Sequence, residues 1–355
     1  MSTAAPSLKL RALARGAQAY STVFAASAAA PYLSRSAPVR MTGFDMDLVV
    51  ASVTTVVEDV ISFELRNPDG SDLPAWVPGA HLDVFLPSGA QRQYSLCGDP
   101  ADLGSYRIAV RRIDKDKGGG GGSLALHDEV AQGDTITVRG PRNAFTFIDA
   151  ESYLFIAGGI GITPILPMVR EASRRGKDWK LVYVGRSLAT MPFVDELQAF
   201  EGGQLVLRPD DEYGVPDVAE LLGHAGQGAA IYVCGPPQLI DAARVLQPTL
   251  NPTGSLHSER FSAPAVVGGR AFDVHLSRTG VTVEVAADES ALAAIRREVP
   301  GVRYSCQQGF CGSCKHAVIE GAVEHRDHKL RAEEREDSML ICVSRAAGDS
   351  LTLDL

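Results

Sequence analysis

The sequence predicts a multidomain protein with three folded units: an antiparallel β-barrel, an α/β domain with a parallel sheet, and a small α+β domain. Short β-branched segments separated by Gly, Pro and Asp fill residues 45–148, which is typical of an all-β unit. Apolar strands alternate with helical segments over residues 150–260, which indicates a parallel sheet covered by helices on both faces. Four of the six cysteines lie in the last 50 residues and indicate a metal site in the third unit.

The bulk composition argues against two classes of protein. The formal net charge is −9 and no basic stripe is present, so nucleic-acid binding is not expected. No run of roughly eighteen or more apolar residues occurs, so we expect no transmembrane segment. Cysteines clustered as in a metal site favour a reducing compartment. We therefore expect a cytoplasmic protein, and a monomer is the simplest expectation for its oligomeric state.

Residues 1–43 form a basic N-terminal arm or helix outside the three units. The first 40 residues contain no acidic residue, and five apolar side chains recur at helical spacing: Leu10, Leu13, Ala17, Tyr20 and Phe24. A docking helix, a targeting segment and a poorly ordered arm all remain compatible with this pattern. We assign the segment no chemistry.

The first folded unit, residues 44–148, contains six predicted strands. They are DLVVASV (47–53), DVISFELRN (59–67), AHLDVFLP (80–87), RQYSLC (92–97), SYRIAVRR (105–112) and DTITVRG (134–140). In the third strand Leu82 and Val84 alternate with His81 and Asp83, so one face is expected to be apolar and the other polar. Six short strands with few helices predict an antiparallel barrel or sandwich.

The second unit spans residues 149–262 and the third spans 271–355, with a linker at 263–270. In the second unit, helices are expected after Pro164, Phe193, Pro216 and Pro236, and they separate the strands YLFIAG, KLVYVG, QLVLR and AIYVCG. The third unit begins with a hairpin that turns at Thr279-Gly280. A helix near 290–298, the cysteine loop, and the strands KHAVIEG and SMLICVS complete it.

Four cysteines have the spacing of an iron–sulfur site. The segment CQQGFCGSC has the pattern C-x4-C-x2-C, and a fourth cysteine follows 28 residues later; the predicted ligands are Cys306, Cys311, Cys314 and Cys342. Gly309 and Gly312 allow the loop backbone to approach the cluster, so that its N–H groups reach the sulfurs. A zinc site with four cysteine ligands is the alternative, although zinc sites usually show two short C-x2-C pairs. A Rieske centre would need two histidine ligands, and all four cysteines are already used.

Three segments at strand ends have the composition of a nucleotide site. YLFIAGGIGITP places Gly158, Gly159 and Gly161 between a buried strand and a helix that opens at Thr163-Pro164. Such a turn presents N–H groups and a helix dipole to phosphates, although it is not a G-x-G-x-x-G fingerprint. Arg186 follows the second strand, and the last strand of the sheet ends in Cys234, Gly235 and Pro236, so all three strand ends are expected to line one crevice.

A barrel strand carries the pattern R-x-Y-S in Arg92, Tyr94 and Ser95. Arginine suits a phosphate and tyrosine suits a planar ring. Followed in order by GGIGITP, GRS and CGPPQL, the pattern resembles the flavin signature of the ferredoxin–NADP reductase superfamily. With the C-terminal cysteines, which resemble those of plant-type ferredoxins, the order of domains over residues 45–355 resembles the phthalate dioxygenase reductase family. That family also includes vanillate demethylase reductases and the reductase modules of self-sufficient bacterial cytochromes P450.

The resemblance implies an FMN-binding barrel, an NAD-binding α/β domain and a [2Fe–2S] ferredoxin domain with a β-grasp fold. It implies an FMN phosphate turn at Gly121, Gly122 and Ser123, where Gly120 replaces the family's arginine and predicts weaker FMN binding. It adds Leu96, Ala109 and Arg111 to the cofactor-binding residues. GPRNAF (140–145) and HSERF (257–261) are further matching segments.

The resemblance also implies roles for single residues near the reacting atoms. Thr163 is expected to hydrogen-bond near the flavin N5, with Ser95 in a similar role. Phe261 is expected to cover a ring face, Cys234 to lie near the nicotinamide, and Arg186 to face the adenosine. Acids outnumber bases in RSLATMPFVDEL and RPDDEYG, so NADH is favoured over NADPH.

The resemblance implies an electron path from NADH through FMN and the cluster to a separate oxygenase, either a Rieske oxygenase or a cytochrome P450. The tip of the cluster loop is the expected docking face: Gln307, Gln308, Gly309 and Phe310. A general NAD(P)H oxidase or quinone reductase is an alternative enzyme function. A redox sensor, in which the cluster controls binding to a partner, is the alternative from another class.

Overall fold

The structure, a computed structural model, describes residues 45–86, 90–114, 121–263 and 266–355. The predicted N-terminal arm, residues 115–120 with Gly120 of the predicted phosphate turn, and residues 264–265 of the predicted linker lie outside the described residues. No helix in the described part of the chain is long and apolar enough to cross a membrane. The domain boundaries given above remain predictions.

The first unit is a six-stranded antiparallel sheet that closes into a barrel-like form. Its strands are β1 (Asp45–Val57), β2 (Val60–Arg66), β3 (Ala80–Phe85), β4 (Gln91–Ser95), β5 (Tyr106–Arg111) and β6 (Thr135–Asn143). They lie in the order β4-β3-β6-β1-β2-β5, and an antiparallel bridge between Leu96 and Ile108 joins the two edges. Helix α1 (Gly122–Glu129) follows β5. All six predicted strands are confirmed.

The polar face of β3 is the one departure from the expected pattern in this unit. Leu82 and Val84 are buried in the barrel core as predicted, but His81 and Asp83 on the opposite face are buried too, with exposed fractions of 4% and 0%. The third unit covers that face, because Ser305 and Ser313 of the cysteine loop contact side chains of this polar face and of β6. The alternation of side chains along a strand predicts that one face is polar, but it does not predict that another domain covers that face.

The second unit is a five-stranded parallel sheet with helices on both faces. Its strands are β7 (Ser152–Gly158), β8 (Asp178–Gly185), β9 (Gly203–Pro209), β10 (Ala230–Cys234) and β11 (Ser255–Glu259), in the order β11-β10-β7-β8-β9. The strand β11 was not predicted, and Cys234 therefore ends the penultimate strand rather than the last one. The sequence of β11, SLHSE, has no apolar run because this edge strand is only half-buried.

Helices form near the four predicted places, although the first begins at Ile162, two residues before Pro164. They are α2 (Ile162–Arg174), α3 (Val194–Gln198), α5 (Val218–Leu222) and α6 (Pro237–Leu250), with one additional short helix, α4 (Asp210–Tyr213), directly after β9. Helix α6 has Pro237 at its first position, where a missing N–H costs nothing because it has no helical partner. The carboxyl ends of β7, β8, β9 and β10 all point to one side of the sheet, as parallel pairing requires.

The third unit is a five-stranded mixed sheet with one α-helix and a separate two-stranded sheet. It contains β12 (Phe272–Leu276), β13 (Val281–Val285), α7 (Ala291–Glu298), β14 (Lys315–Glu320), β15 (Val323–Glu324), β16 (Ser338–Leu340), β17 (Arg345–Ala346) and β18 (Ser350–Leu353). The predicted hairpin is confirmed, and Gly280 adopts φ +72° at its turn. The unpredicted β18 lies in the middle of the sheet, parallel to β12 and antiparallel to β14. The multidomain fold class is thus confirmed.

Candidate active site and cluster loop

One large cavity of about 1070 Å³ lies between the barrel, the carboxyl ends of the parallel strands and the cysteine loop. It brings together most of the predicted cofactor-binding residues: Arg92, Tyr94, Ser95, Ala109, Arg111, Gly122, Ser123, Gly158, Gly159, Gly161, Thr163, Arg186, Gly235, Pro236 and Phe261. Leu96, Gly121 and Cys234 do not line it, and Leu96 and Cys234 are buried in the cores behind it. Cys306 of the cysteine loop lines the same cavity.

The glycine turn after β7 packs tightly against the end of β10. A Cβ atom on Gly161 would lie 2.3 Å from the carbonyl oxygen of Cys234, and one on Gly158 would lie 2.6 Å from Pro236. Gly159 adopts φ +55°, a left-handed conformation that other residues rarely adopt. The glycines therefore let two strand ends approach each other and keep the backbone at the cavity wall free of side chains.

Thr163 lies in the first turn of α2 with its side chain almost fully buried. Its hydroxyl donates a hydrogen bond of 3.0 Å to the carbonyl oxygen of Ile160, and its oxygen still has lone pairs to offer. Tyr183 of β8 supports the same turn, because its hydroxyl lies 3.1 Å from the carbonyl oxygen of Gly159. The position of Thr163 is fixed by the turn that precedes it.

On the barrel side, Arg92 and Gly122 are in close contact. A Cβ atom on Gly122 would lie 2.5 Å from Cγ and 2.6 Å from Nε of Arg92, so only glycine leaves room for the arginine there. Gly121 adopts φ +78° and precedes α1, whose first-turn N–H groups have no helical partner. The Ser123 hydroxyl instead contacts the backbone of Ile113, which ties the loop to the end of β5. A guanidinium and a helix N-terminus thus converge at one end of the cavity.

At another part of the cavity wall, Arg186 and Asp210 follow β8 and β9. The Oδ1 atom of Asp210 is buried and has no hydrogen-bond partner among the described residues. Backbone contacts fix this corner, because Asp211 N–H donates to the carbonyl oxygen of Arg186 at 3.0 Å. A carboxylate at the end of β9 is of the type that accepts hydrogen bonds from ribose hydroxyls.

Glu259 is a residue that sequence reasoning missed. It ends β11, and burial raises the pKa of its carboxyl group to about 8, although a hydrogen bond with Ser95 opposes the shift. Its Oε2 atom is fully buried and has no partner among the described residues. The residue lies in the segment HSERF, which the sequence marked only as a family match; its burial depends on the barrel and the cysteine loop, which are distant in sequence.

The four cysteines of the third unit form two close pairs. Cys306 and Cys311 are hydrogen-bonded to each other, and the bond from Cys306 lowers the pKa of the Cys311 thiol to about 5. Cys314 is the corresponding partner of Cys342, and this contact, followed by burial, raises the pKa of Cys342. Among the described residues, no three His, Cys, Asp or Glu side chains converge as they would around a single metal ion.

The backbone of the cysteine loop wraps around these sulfurs as predicted. The N–H groups of Gln308 and Ser313 donate to the sulfurs of Cys306 and Cys311 at 3.4 and 3.5 Å. Three residues of the loop adopt positive φ: Gln307, Gly309 and Gly312. A Cβ atom on Gly309 would lie 2.9 Å from Val343, so the close approach requires glycine there. Of the nearby histidines, His328 is exposed and stacks on Phe310, whereas His316 and His325 are half-buried.

The loop tip faces inward more than the sequence suggested. Gln307 lines the large cavity, the Gln308 side chain donates to the carbonyl oxygen of Arg260, and Gly309 is buried. Phe310 alone of the four predicted docking residues is exposed, with 38% of its surface accessible. Of the four residues predicted to form a docking face, Phe310 is therefore the one that solvent reaches readily, and the docking face itself remains a prediction.

Comparison with known proteins agrees with this geometry. The description "2Fe-2S iron-sulfur cluster binding domain" matches residues 274–347, and "Oxidoreductase FAD-binding domain" matches residues 47–147. The phthalate 4,5-dioxygenase oxygenase reductase subunit of Pseudomonas putida is 40% identical over 316 residues, which cover 87% of this chain and 96% of that protein. The chain belongs to the phthalate dioxygenase reductase family. The phthalate dioxygenase reductase of Burkholderia cepacia is 37% identical over 87% of this chain and 97% of its own length.

Solved structures extend the comparison within the phthalate dioxygenase reductase family. A structure described as a phthalate dioxygenase reductase, modular for electron transfer from pyridine nucleotides to [2Fe–2S], matches with a TM-score of 0.66 and 36% identity; the match covers 88% of this chain and 98% of that one. An intact type IV self-sufficient cytochrome P450 monooxygenase matches with a TM-score of 0.70 and 36% identity. That match covers 90% of this chain but 43% of the longer one.

As a phthalate dioxygenase reductase family member, the chain is an oxidoreductase of the reductase-subunit type, with flavin, pyridine-nucleotide and [2Fe–2S] units. The residues fit these groups. Four mutually close thiols, Cys306 beside Cys311 and Cys314 beside Cys342, supply the four thiolates that a [2Fe–2S] cluster needs. The cavity has a cationic end at Arg92, aromatic surfaces at Tyr94 and Phe261, and the glycine turn opposite them.

Proposed function

We propose that the chain takes electrons from NADH, passes them through FMN to a [2Fe–2S] cluster, and delivers them singly to a separate oxygenase. The observation that carries the proposal is that Cys306 lines the same cavity as the R-x-Y-S strand and the glycine turn. One wall thus suits a flavin, another suits a nucleotide, and a third contains a predicted cluster ligand. A flavin supplies the two-electron to one-electron conversion that such a path needs.

The residues of the chain orient and shield the reactants rather than act as nucleophiles. The bare glycine backbone at Gly158–Gly161 lets a nicotinamide ring approach the barrel side of the cavity. Thr163 contributes a fixed hydroxyl oxygen, and Ser95 contributes a second hydroxyl that is held by Glu259. Phe261 is 53% exposed and covers part of the cavity mouth. Cys234 lies behind the turn, where burial raises the pKa of its thiol, so it is a packing residue beneath the nicotinamide position.

FMN, rather than FAD, is the proposed flavin. Arg92, the Gly121-Gly122 backbone and the N-terminus of α1 together form one compact anion site. A terminal phosphate fits such a site, because the guanidinium and the helix N-terminus both favour its charge. The glycines before Gly121 lie outside the described residues, so the proposed weak binding that follows from Gly120 rests on the sequence.

NADH is the proposed nucleotide because the corner that suits its adenosine ribose contains a carboxylate. Asp210 has a buried, unpartnered Oδ1 atom beside Arg186 among the described residues. A carboxylate accepts hydrogen bonds from the two ribose hydroxyls of NADH and repels the 2′-phosphate of NADPH. Arg186 favours the pyrophosphate or adenine side and does not by itself make a 2′-phosphate site.

The proposed cluster ligands are Cys306, Cys311, Cys314 and Cys342. Cys306 faces the cavity, whereas Cys311 is half-buried beside the exposed Phe310. The cluster would therefore have one ligand toward the flavin and another toward solvent. The relatives named above include reductase subunits of dioxygenases, and others serve a heme-dependent oxidative N-demethylase or form part of a cytochrome P450. The proposed partner is an oxygenase, and its type is left open.

The proposal is tested by removing the cluster and comparing two electron acceptors. Cys342→Ser is expected to lose the visible absorbance of the cluster and the NADH-dependent reduction of cytochrome c, a one-electron acceptor. Reduction of ferricyanide, which is able to take electrons directly from the flavin, is expected to persist. The matched control is Cys97→Ser, a buried cysteine of the barrel that is not a predicted ligand. Full cytochrome c reduction by a cluster-free Cys342→Ser protein would contradict the proposed relay.

A further inference from the structure

A buried polar cluster joins the barrel to the cysteine loop, and the cofactor sites described above do not account for it. Its charged members are Asp83 on β3 and Arg142 on β6, within the segment GPRNAF. The Asp83 side chain is 0% exposed, and its Oδ2 atom lies 3.0 Å from Nη1 of Arg142. Neither residue lines the large cavity. Because a buried ion pair is costly to desolvate, this pair is not explained by its contribution to stability alone.

The remaining groups of this cluster come from both domains. The Gln93 side-chain amide donates to Oδ1 of Asp83 at 2.9 Å and to the Ser305 hydroxyl at 2.6 Å. The same Asp83 oxygen lies 3.4 Å from the Ser305 hydroxyl. Arg142 donates to the Ser313 hydroxyl at 3.2 Å. Asp83 and Arg142 therefore each contact one serine of the cysteine loop.

A second pair of hydrogen bonds lies beside the first. The Gln91 side-chain amide donates to the carbonyl oxygen of Tyr304, and the Tyr304 hydroxyl donates to the carbonyl oxygen of Gln91, both at 3.1 Å. Tyr304 and Ser305 directly precede Cys306, and Ser313 directly precedes Cys314. The barrel thus contacts the loop on both sides of the proposed cluster position.

These contacts define one docked position of the cysteine loop. If the loop moved away from the barrel, Asp83 and Gln93 would lose the Ser305 hydroxyl, and Arg142 would lose Ser313. Buried polar groups that lose a partner incur a large desolvation penalty, so intermediate positions are unfavourable. Apolar packing alone tolerates small sliding, whereas this ion pair, together with the hydrogen bonds that Gln93 and Arg142 donate to Ser305 and Ser313, specifies a register.

We propose that Asp83 and Arg142 are positioning residues for the electron transfer step between flavin and cluster, and we call them the docking pair. The proposal rests on the proposed function. In each transfer one electron leaves the reduced flavin and converts one ferric iron of the cluster to ferrous iron, and no bond is broken. The docking pair fixes the position of Cys306 at the cavity wall while this occurs. It touches neither the flavin cavity nor a predicted cluster ligand.

The test compares Arg142→Gln, Asp83→Asn and the double variant with the natural chain, each loaded with flavin and cluster. The control is Arg66→Gln, an arginine of β2 that pairs with Glu64 on the exposed surface of the barrel. Anaerobic mixing with NADH separates flavin reduction from cluster reduction by absorbance. For Arg142→Gln we expect an unchanged rate of flavin reduction and a rate of cluster reduction that is lower by at least about tenfold. Truncating one partner of a buried charge pair typically weakens an interface more than tenfold, so the docked position would be populated less often.

A second readout does not depend on turnover. Amide hydrogen exchange in segments 91–95 and 304–306 is expected to become faster in Arg142→Gln and to stay unchanged in Arg66→Gln. The electron paramagnetic resonance spectrum of the reduced cluster is expected to be unchanged, which shows that the cluster itself is intact. The double variant is expected to recover part of the lost rate, because it leaves no unpaired charge.

The outcomes separate this inference from the proposed function. If both single variants reduce the cluster and exchange amide hydrogens at the rates of the natural chain, the proposed role of the docking pair is wrong, and the proposed electron path is unaffected. Equal slowing of flavin and cluster reduction would also overturn it, because that result indicates a general structural defect. If NADH reduces the flavin but never the cluster in the natural chain, the proposed function itself fails.

Discussion

At the residue scale, the flavin side of the cavity depends on a glycine that is conformationally ordinary. Gly122 does not need a positive φ, and it is required only because Arg92 occupies the space of its Cβ. We expect Gly122→Ala to displace Arg92 and to raise the dissociation constant of the flavin about tenfold, the equivalent of one charge-assisted hydrogen bond. Flavin fluorescence after ultrafiltration measures this constant. Gly348→Ala, at a glycine with open space around it, is the matched control. If Gly122→Ala binds the flavin as tightly as the natural chain does, Arg92 does not contribute to the proposed anion site.

Glu259 makes a second prediction at this scale, which concerns pH. Burial raises the pKa of its carboxyl group from 4.5 to about 8, so the folded state binds this proton more tightly than the unfolded state. The free energy of unfolding therefore falls as pH rises between these two values, by about 1.4 kcal/mol per pH unit from this group. Above about pH 8 the carboxyl group is ionised in the folded state as well, and the free energy of unfolding is lowered by the full contribution of this group.

We expect Glu259→Gln to remove this part of the pH dependence, because glutamine carries no titrating proton. Urea unfolding of the apoprotein near pH 5.5 and near pH 7.5 measures the difference between variant and natural chain. Glu212→Gln, at an exposed position of the short helix α4 in the same domain, is the control. An identical pH slope in Glu259→Gln and the natural chain would show that the carboxyl group is not buried in solution.

Other residues of the site could not be found from the sequence. Local motifs identified the glycine turn, R-x-Y-S and the cysteines, because each needs only neighbours within a few positions. Asp210, Glu259 and the docking pair have no local signature. Their chemistry depends on contacts such as that between Gln93 and Ser305, which are 212 positions apart. Only the folded chain shows that these groups are buried and which partners they have.

At the scale of elements, the strands with strong local patterns were predicted and two others were missed. The edge strand β11 is half-buried and polar, and β18 consists of four residues near the end of the chain. β18 is a central strand only because β12 and β14 flank it, which local sequence does not reveal. Hydrophobic periodicity therefore predicts strands with an apolar face toward a core. It does not predict strands whose place in the sheet depends on pairing with strands that are distant in sequence.

One side chain connects an element of the barrel to two elements of the α/β domain. Glu196 of α3 lies 3.0 Å from Arg107 of β5 and 2.5 Å from Arg170 of α2, and all three side chains are 26–28% exposed. Arg107 also lies over the ring of Phe193. The cavity lies between these two domains, so this junction holds its walls together.

We expect Glu196→Ala to lower the free energy of unfolding by about 1–2 kcal/mol, between the values for exposed and for buried ion pairs, because two arginines lose their shared acceptor. Glu220→Ala is the matched control, since Glu220 pairs only with Arg208 among the described residues and is itself 54% exposed. Urea unfolding of both variants measures the effect. Equal stability of the two variants would show that the junction does not depend on Glu196.

At the scale of the whole molecule, three domains share one cavity. The barrel contributes β4 and the start of α1, the α/β domain contributes its strand ends, and the third domain contributes Cys306. Domain order along the chain was predictable, because each domain has its own pattern of strands and motifs. The mutual arrangement was not predictable, because it depends on side chains of β3 and β6 that look like the solvent face of a barrel. This arrangement brings residues of all three domains to one cavity.

The central claim is that two electrons enter as a pair at the flavin and leave singly through the cluster. An anaerobic titration with NADH, followed by absorbance, tests it most directly. Because a flavin accepts two electrons and the cluster one, we expect about 1.5 equivalents of NADH to bleach both the flavin and the iron–sulfur bands. NADPH is expected to do so only slowly. Bleaching of the flavin bands with no change in the iron–sulfur bands would contradict the account.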